Sequence, residues 1–143
     1  MPKKNMPRDV AQAALYIVRG QPARRKRYAS KYAAIMADAK KAPGGNTAEG
    51  LRALEYGIEV RLVQLEREPD IETMRAVDAA AGNIGAGLRE ELRDKLRTAV
   101  LLNCRDGRRW RYEVLDVPTV SRAEFYRRKR EFLREVAKKC GIW

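Results

Sequence analysis

From Pro7 onward, apolar side chains recur at intervals of three and four residues, and this helical period constrains the fold more than any other feature. Val10, Ala14 and Ile17 share one face before Gly20-Gln21-Pro22 breaks or kinks the run. A second stretch, Pro22 to Ala39, repeats the pattern with Tyr28, Tyr32, Ile35 and Ala39. Lys40 to Gly45, with Pro43-Gly44-Gly45, reads as a linker. Asn46 followed three residues later by Glu49 fits a capping-box-like start. Leu51, Leu54, Ile58, Leu62 and Leu65 then make a stripe expected to be buried, too short in heptads for a coiled-coil seam.

Pro69-Asp70 ends that helix and starts the next, whose row Ile71, Met74, Val77 and Ala81 runs into Gly82, Gly85 and Gly87. Those glycines lack the GK[ST] ending and the preceding strand of a phosphate loop, so they suit a close helix crossing or a flexible joint. Leu88, Leu92, Leu96, Ala99 and Asn103 follow on one face, closed by Arg105-Asp106-Gly107. The pattern predicts an all-α protein, a small helical bundle of five or six helices ending in a helix-turn-helix-like unit. Along the chain it divides into a basic N-terminal helical arm (residues 1–43), a central helical core (44–106) and a C-terminal DNA-binding segment (107–143). Residues 44–143 are expected to form one packed domain.

Charge narrows the function. Among 143 residues, 31 are Lys or Arg and 19 Asp or Glu, a formal charge of +12, and histidine is absent. Without histidine there is no imidazole general base and no imidazole zinc ligand. Cys104 and Cys140 stand alone, outside any CxxC spacing, and are expected to be reduced thiols. No paired carboxylates at motif spacing, nucleotide loop or metal cluster is written, so the expectation is a non-enzymatic protein without a cofactor. Apolar runs shorter than a membrane span and a start lacking an apolar signal core lead to the expectation of a soluble, intracellular protein with no membrane partner.

The excess charge sits at the ends. Residues 1–41 hold 11 basic and 2 acidic side chains, residues 42–107 hold 9 and 12, and residues 108–143 hold 11 and 5. Clustered cations bind phosphates and release counterions, so basic ends flanking a near-neutral middle point to a polyanion partner. In the first cluster, Arg24, Arg25, Lys26 and Arg27 fall in the opening turn of a helix, where cations oppose the helix dipole. Something other than helix stability is then expected to place them there, and DNA is the candidate.

The C-terminal segment carries the sharpest signal. In Val120-Ser121-Arg122-Ala123-Glu124-Phe125, Ser121 reads as N-cap, Glu124 as its capping-box partner, and Val120 with Phe125 as a hydrophobic staple. At 100° per residue, Phe125, Phe132, Val136 and Cys140 share a core face with Leu133 and the stem of Lys129 beside them. The opposite side aligns Ala123, Arg127, Arg130, Arg134 and Lys138, with Glu124, Glu131 and Glu135 expected on a separate flank. Like charges three or four apart on a helix repel, and a phosphate backbone would reverse that sign. Small residues followed by arginines suit a helix whose early turns (Arg127, Arg130) approach base edges while later ones (Arg134, Lys138) hold phosphates. The bland reading of the same row is a solvated face. Residues 107–118 fit either a short helix or an extended ribbon, and Trp110 reads as a core anchor rather than a base-stacking platform.

Taken together, Ala14-Leu15-Tyr16-Ile17-Val18-Arg19-Gly20 with basic residues after it, and Val120-Ser121-Arg122-Ala123-Glu124-Phe125-Tyr126-Arg127-Arg128-Lys129-Arg130-Glu131-Phe132 followed by Val136-Ala137 and Cys140-Gly141-Ile142, resemble the small phage and prophage regulators of the RinA and ArpU type. Pro22 and the Trp110 to Val117 segment depart from that pattern. The resemblance implies late-gene transcriptional regulation through a sigma-factor-like C-terminal helix-turn-helix, in the cytoplasm of a bacterial host at its nucleoid. It gives Ser121, Arg122, Tyr126, Arg127 and Arg130 a recognition-helix role on duplex DNA. Two other classes fit the composition: a phage-encoded inhibitor or accessory protein that binds a host enzyme such as RNA polymerase or a CRISPR nuclease, and a packaging or RNA-binding protein. A homodimer is compatible with each.

Overall fold

A computed structural model describes residues 5–40 and 47–143. Its described residues form six helices and no strand: α1 (Arg8–Arg19), α2 (Gln21–Lys40), α3 (Ala48–Glu66), α4 (Pro69–Gly82), α5 (Glu90–Arg105) and α6 (Arg122–Lys139). The protein is therefore the small all-α bundle that the helical period predicts. The expected linker and the Asn46 cap fall on residues 41–46, outside the described residues. The cap that forms is Thr47, whose side-chain oxygen accepts the Gly50 N–H at 3.1 Å.

Proline and glycine punctuate the chain where their geometry is tolerated. Pro22 and Pro69 lie in the first turns of α2 and α4, where a missing N–H breaks no helical bond. Gly85 has a φ of +75°, and an added Cβ would lie 3.1 Å from Arg93 Cγ and 3.3 Å from Arg93 Cα, so this glycine marks a close crossing between the α4–α5 connection and α5. Arg93 and Arg97 use that proximity. Arg97 Nε donates to the Ala81 carbonyl at 3.0 Å, and both guanidinium groups donate to that of Gly82, capping the C-terminus of α4.

Contacts gather into two compact units, residues 22–74 and residues 1–21 with 75–143. The linear division at 43/44 and 106/107 is not the one the contacts follow. Its basic N-terminal arm is shared between the units, because Ala14 and Val18 of α1 are buried in one apolar cluster with Phe125, Phe132 and Val136 of α6.

In the unit of residues 22–74, Ile35, Leu65, Ile71 and Met74 form a small core, with Tyr28, Ile58 and Leu62 half-buried against it. The apolar stripe of α3 is covered unevenly, with Ile58 and Leu62 half-buried between its two ends. Leu65 is buried and Leu54 half-buried, whereas Leu51 is 46 % exposed. The expected burial of all five positions therefore holds in full only for Leu65 and fails at Leu51.

The second unit holds the larger core. α1 packs against α6 and α5, and α5 against α6. Leu96, Val100 and Cys104 of α5 and Phe125 and Val136 of α6 are fully enclosed. Gln21 is tied into it by a 3.1 Å bond from its Nε2 to Asp78 Oδ1. The 16 residues between α5 and α6 form turns, neither a helix nor a ribbon, so the two helices are joined by a braced loop rather than a tight turn. Tyr112 Oη donates to the Val120 carbonyl at 2.5 Å, and Thr119 turns the chain into α6 with a left-handed φ of 66°.

Ser121 starts α6 as its sequence signature predicts: its Oγ accepts the Glu124 N–H at 3.1 Å. Val120 and Phe125 are both buried in the same cluster, as a hydrophobic staple requires. Ser121→Ala removes the cap and should cost about 0.5–2 kcal/mol. Ser121→Gly should cost only a few tenths. Urea unfolding followed by circular dichroism checks both, and a parent-like midpoint for Ser121→Ala would show that the hydroxyl is not the stabilising group.

Candidate nucleic-acid interface

The inner face of α6 is Phe125, Phe132, Leu133, Val136 and Ala137, all buried. Lys129 and Cys140 are half-buried at its edge. Fixing these positions turns Ala123, Arg127, Arg130 and Lys138 outward, where all four are exposed, with Arg134 half-buried beside them. Arg127 to Lys138 spans about 16 Å of helix at 1.5 Å per residue.

The row is not uniform. Glu124 and Glu131 do not form a separate flank: Arg127 donates to Glu124 at 2.6 and 3.0 Å and to Glu131 at 2.6 Å. Glu124 also accepts from Arg128 Nε at 2.9 Å. The carboxylates stand three and four residues from their partners, the spacing at which helical side chains meet. Glu124 therefore faces forward to arginine rather than back to the Ser121 N–H, so only half of the expected capping box forms. Arg130 has no carboxylate partner among the described residues and projects into solvent. Arg134 and Lys138 lie over the Trp143 ring at 5.3 and 5.5 Å, and this aromatic face holds both cations along the last turns.

At the start of α6, Ser121 spends its oxygen on the cap. Arg122 is exposed, pairs with Glu113 at 3.1 Å and lies 5.3 Å from the Tyr126 ring centroid. Tyr126 is half-buried, edge-on to Phe125 at 5.2 Å, so its ring serves the core as much as the surface.

Arg24, Arg25, Lys26 and Arg27 belong to the other unit. Their placement has a cause within that unit. Arg27 Nε donates to Asp70 Oδ2 at 2.5 Å, Arg24 stands 3.8 Å from Asp70, and Lys31 pairs with Glu68 at 2.6 Å. The acidic start of α4 thus offsets the unfavourable dipole position of these cations. The Arg27 hydrogen bond is the main reason that the Asp70 carboxyl is held below the ordinary carboxylate range. Arg25 and Lys26 are exposed on the same turn.

The two units differ in charge. Residues 1–21 and 75–143 carry 21 of the 31 basic and 11 of the 19 acidic residues, a formal +10, whereas residues 22–74 carry +2. The charge-rich unit also contains a cluster missing from the sequence-based site. Arg105, Arg108, Arg109 and Arg111 are all exposed around Trp110. Four arginines in seven residues were the available signal, obscured because the backbone of this segment was ambiguous. Trp110 is half-buried but packs on neither apolar core, and it lies 5.2 Å from the Arg109 guanidinium, so it is a cation platform rather than the expected core anchor.

The thiols are not part of this surface chemistry. Cys104 is enclosed, and burial pushes its thiol up to about 11; Cys140 is half-buried, and neither is in a disulfide among the described residues. No described helix is long and apolar enough to cross a membrane. No protein-family model, curated protein or solved structure matches the chain.

The carboxylate pairing on α6 has an acid signature. Hydrogen bonds from Arg127 and then Arg128 hold the Glu124 carboxyl below its ordinary value. Stability from this pairing is therefore complete above the unfolded carboxyl value of about 4.3 and is lost as pH falls through the lower folded value. Glu124→Gln should flatten the acid limb of the stability curve. Urea midpoints from about pH 6 to about pH 2 check this, and parallel limbs for parent and variant would reject it.

Proposed function

We propose that the protein is a DNA-binding transcriptional regulator of the phage type, which lays the outward face of α6 on duplex DNA. The observation that carries this reading is the division of labour on α6. One face is buried against α1 and α5, and the opposite face presents Arg130, Arg134 and Lys138 within a unit of formal charge +10. A helix whose inner side is held by two other helices is rigid enough to enter a major groove, as in three-helix variants of helix-turn-helix proteins. The resemblance to regulators of the RinA and ArpU type agrees with this placement of the reading helix.

Arg130 is the candidate for base contact: it lies in the early half of α6 and has no carboxylate partner among the described residues. Arg134 and Lys138, further along and held over Trp143, suit phosphate contact. Arg127 is restrained by two carboxylates, and using it on DNA requires exchanging them for phosphate oxygens. The cluster at Arg24 to Arg27 is already engaged with Asp70 in part, so its share in binding is smaller than its formal charge implies.

Arg130→Ala should lower affinity for a site selected from randomised duplexes by about 1–3 kcal/mol, with less effect on a scrambled duplex. Arg134→Ala and Lys138→Ala should weaken both duplexes by similar factors. Glu131→Gln releases one restraint on Arg127 and removes a charge that repels phosphate, so it should tighten binding. Competition anisotropy reads all four. If every variant matches the parent, the outer face of α6 is merely solvated, and a protein target such as RNA polymerase becomes the better account.

A further inference from the structure

Four arginines gather where α5 runs into the following loop: Arg105 closes α5, where the helix terminus favours a cation, and Arg108, Arg109 and Arg111 follow in the loop itself. Arg105, Arg108, Arg109 and Arg111 are exposed within seven residues, and none has an ion pair with a carboxylate among the described residues. Elsewhere in the same unit, arginines do find carboxylates: Arg97 meets Asp94, Arg122 meets Glu113, and Arg127 and Arg128 meet Glu124. Of the loop's three acidic residues, Asp106, Glu113 and Asp116, the one that stands among these arginines is Asp106, whose Oδ1 accepts the backbone N–H groups of Arg108 and Arg109 at 3.1 and 3.2 Å. Its carboxylate shapes the turn rather than meeting a guanidinium group, and Glu113 is paired with Arg122, attracting Arg111 only from beyond ion-pair distance.

The loop is also ordered from beneath. Trp110 donates its backbone N–H to the Asp106 carbonyl at 2.9 Å. The Trp110 carbonyl accepts from Asn103 Nδ2 at 2.8 Å, and Asn103 is buried. Arg109 lies over the Trp110 ring, which restricts one of the four side chains. Further along, Tyr112 is bonded to Val120 and Glu113 to Arg122, which ties the segment to the first turn of α6. Holding four cations together costs free energy through mutual repulsion, and an ordered backbone increases that cost by preventing their dispersal. An anion lowers it, and pre-ordering reduces the entropy cost when the anion binds.

We propose that this loop is a second phosphate-backbone site, which anchors duplex DNA beside α6 without reading its sequence. This rests on the preceding reading of α6 and adds a separate contact to it. The loop offers guanidinium groups, suited to bidentate phosphate contact, on a turn lacking the regular length that a groove-reading element needs. It therefore contributes affinity and orientation, while discrimination between sequences stays with α6.

The test uses the full chain, a selected duplex and a scrambled duplex in anisotropy titrations across sodium chloride concentration. Replacing Arg108, Arg109 and Arg111 together by Gln should make the slope of log affinity against log salt shallower by about 0.9 for each phosphate that the loop no longer neutralises. Affinity for both duplexes should fall by the same factor, so their ratio is preserved. Arg52→Gln, Arg61→Gln and Arg67→Gln combined remove the same formal charge from the other unit and should leave the slope unchanged. A parent-like slope in the loop variant overturns the proposal, as does an equal change in the control set, which would make the effect one of net charge alone. A loop effect confined to the selected duplex would also overturn it, by making the loop a sequence reader. If the parent binds neither duplex, the reading of α6 falls together with this one; if the parent binds and the loop substitutions change nothing, the α6 reading stands alone.

Discussion

Burial of one face of α6 against α1 and α5 is the constraint on which the rest of the charge-rich unit depends. Phe125 and Val136 are fully enclosed, and Phe132 nearly so. Truncating a buried phenylalanine to alanine typically costs about 3–5 kcal/mol, more than any surface ion pair returns. This packing therefore sets the rotation of the helix about its axis, and the outward position of Arg130 follows from it. The same packing brings α1, more than a hundred residues earlier in the chain, into the C-terminal unit through Ala14 and Val18.

Around that core, arginine does two kinds of work. Some guanidinium groups complete the fold. Arg19 donates to the Cys104 carbonyl at 3.0 Å near the end of α5, and Arg93 and Arg97 satisfy the last carbonyls of α4. These bonds meet acceptors that a helix C-terminus leaves unpaired, and they favour cations there. Others are matched by carboxylates at helical spacing, as Arg127 and Arg128 are on α6. The cations not used in this way are a smaller set than the formal charge suggests. Two groups of them are the outer row of α6 and the stretch from Arg105 to Arg111.

Much of this was legible in the residues themselves. The start of α6 at Ser121 could be read because a capping motif is local, involving groups only three residues apart. The breaks at Pro22 and Pro69 were legible for the same reason. The stripe on α3 misled because periodicity reports which residues share a face, not whether enough apolar surface exists to cover it. Glu124 and Glu131 were assigned to the wrong flank because a wheel of Cα directions ignores the reach of arginine. Long side chains bridge faces that a projection separates.

The sequence by itself determined the helical class, most helix boundaries, the core face of α6 and the cationic sign of its opposite face, since each depends on interactions within a few residues. Tertiary structure decided which charges are left over. Asp70 reaches Arg27 across 43 residues, and only the fold could reveal that the Arg24 to Arg27 cluster is partly neutralised. The loop from Arg105 to Arg111 was equally undecidable from its own residues, because its shape is imposed by Asn103 beneath it and by the bond from Tyr112 to Val120. The alternation of its apolar residues fits a helix and a ribbon alike. Packing against the end of α5 and the start of α6 removed that degeneracy.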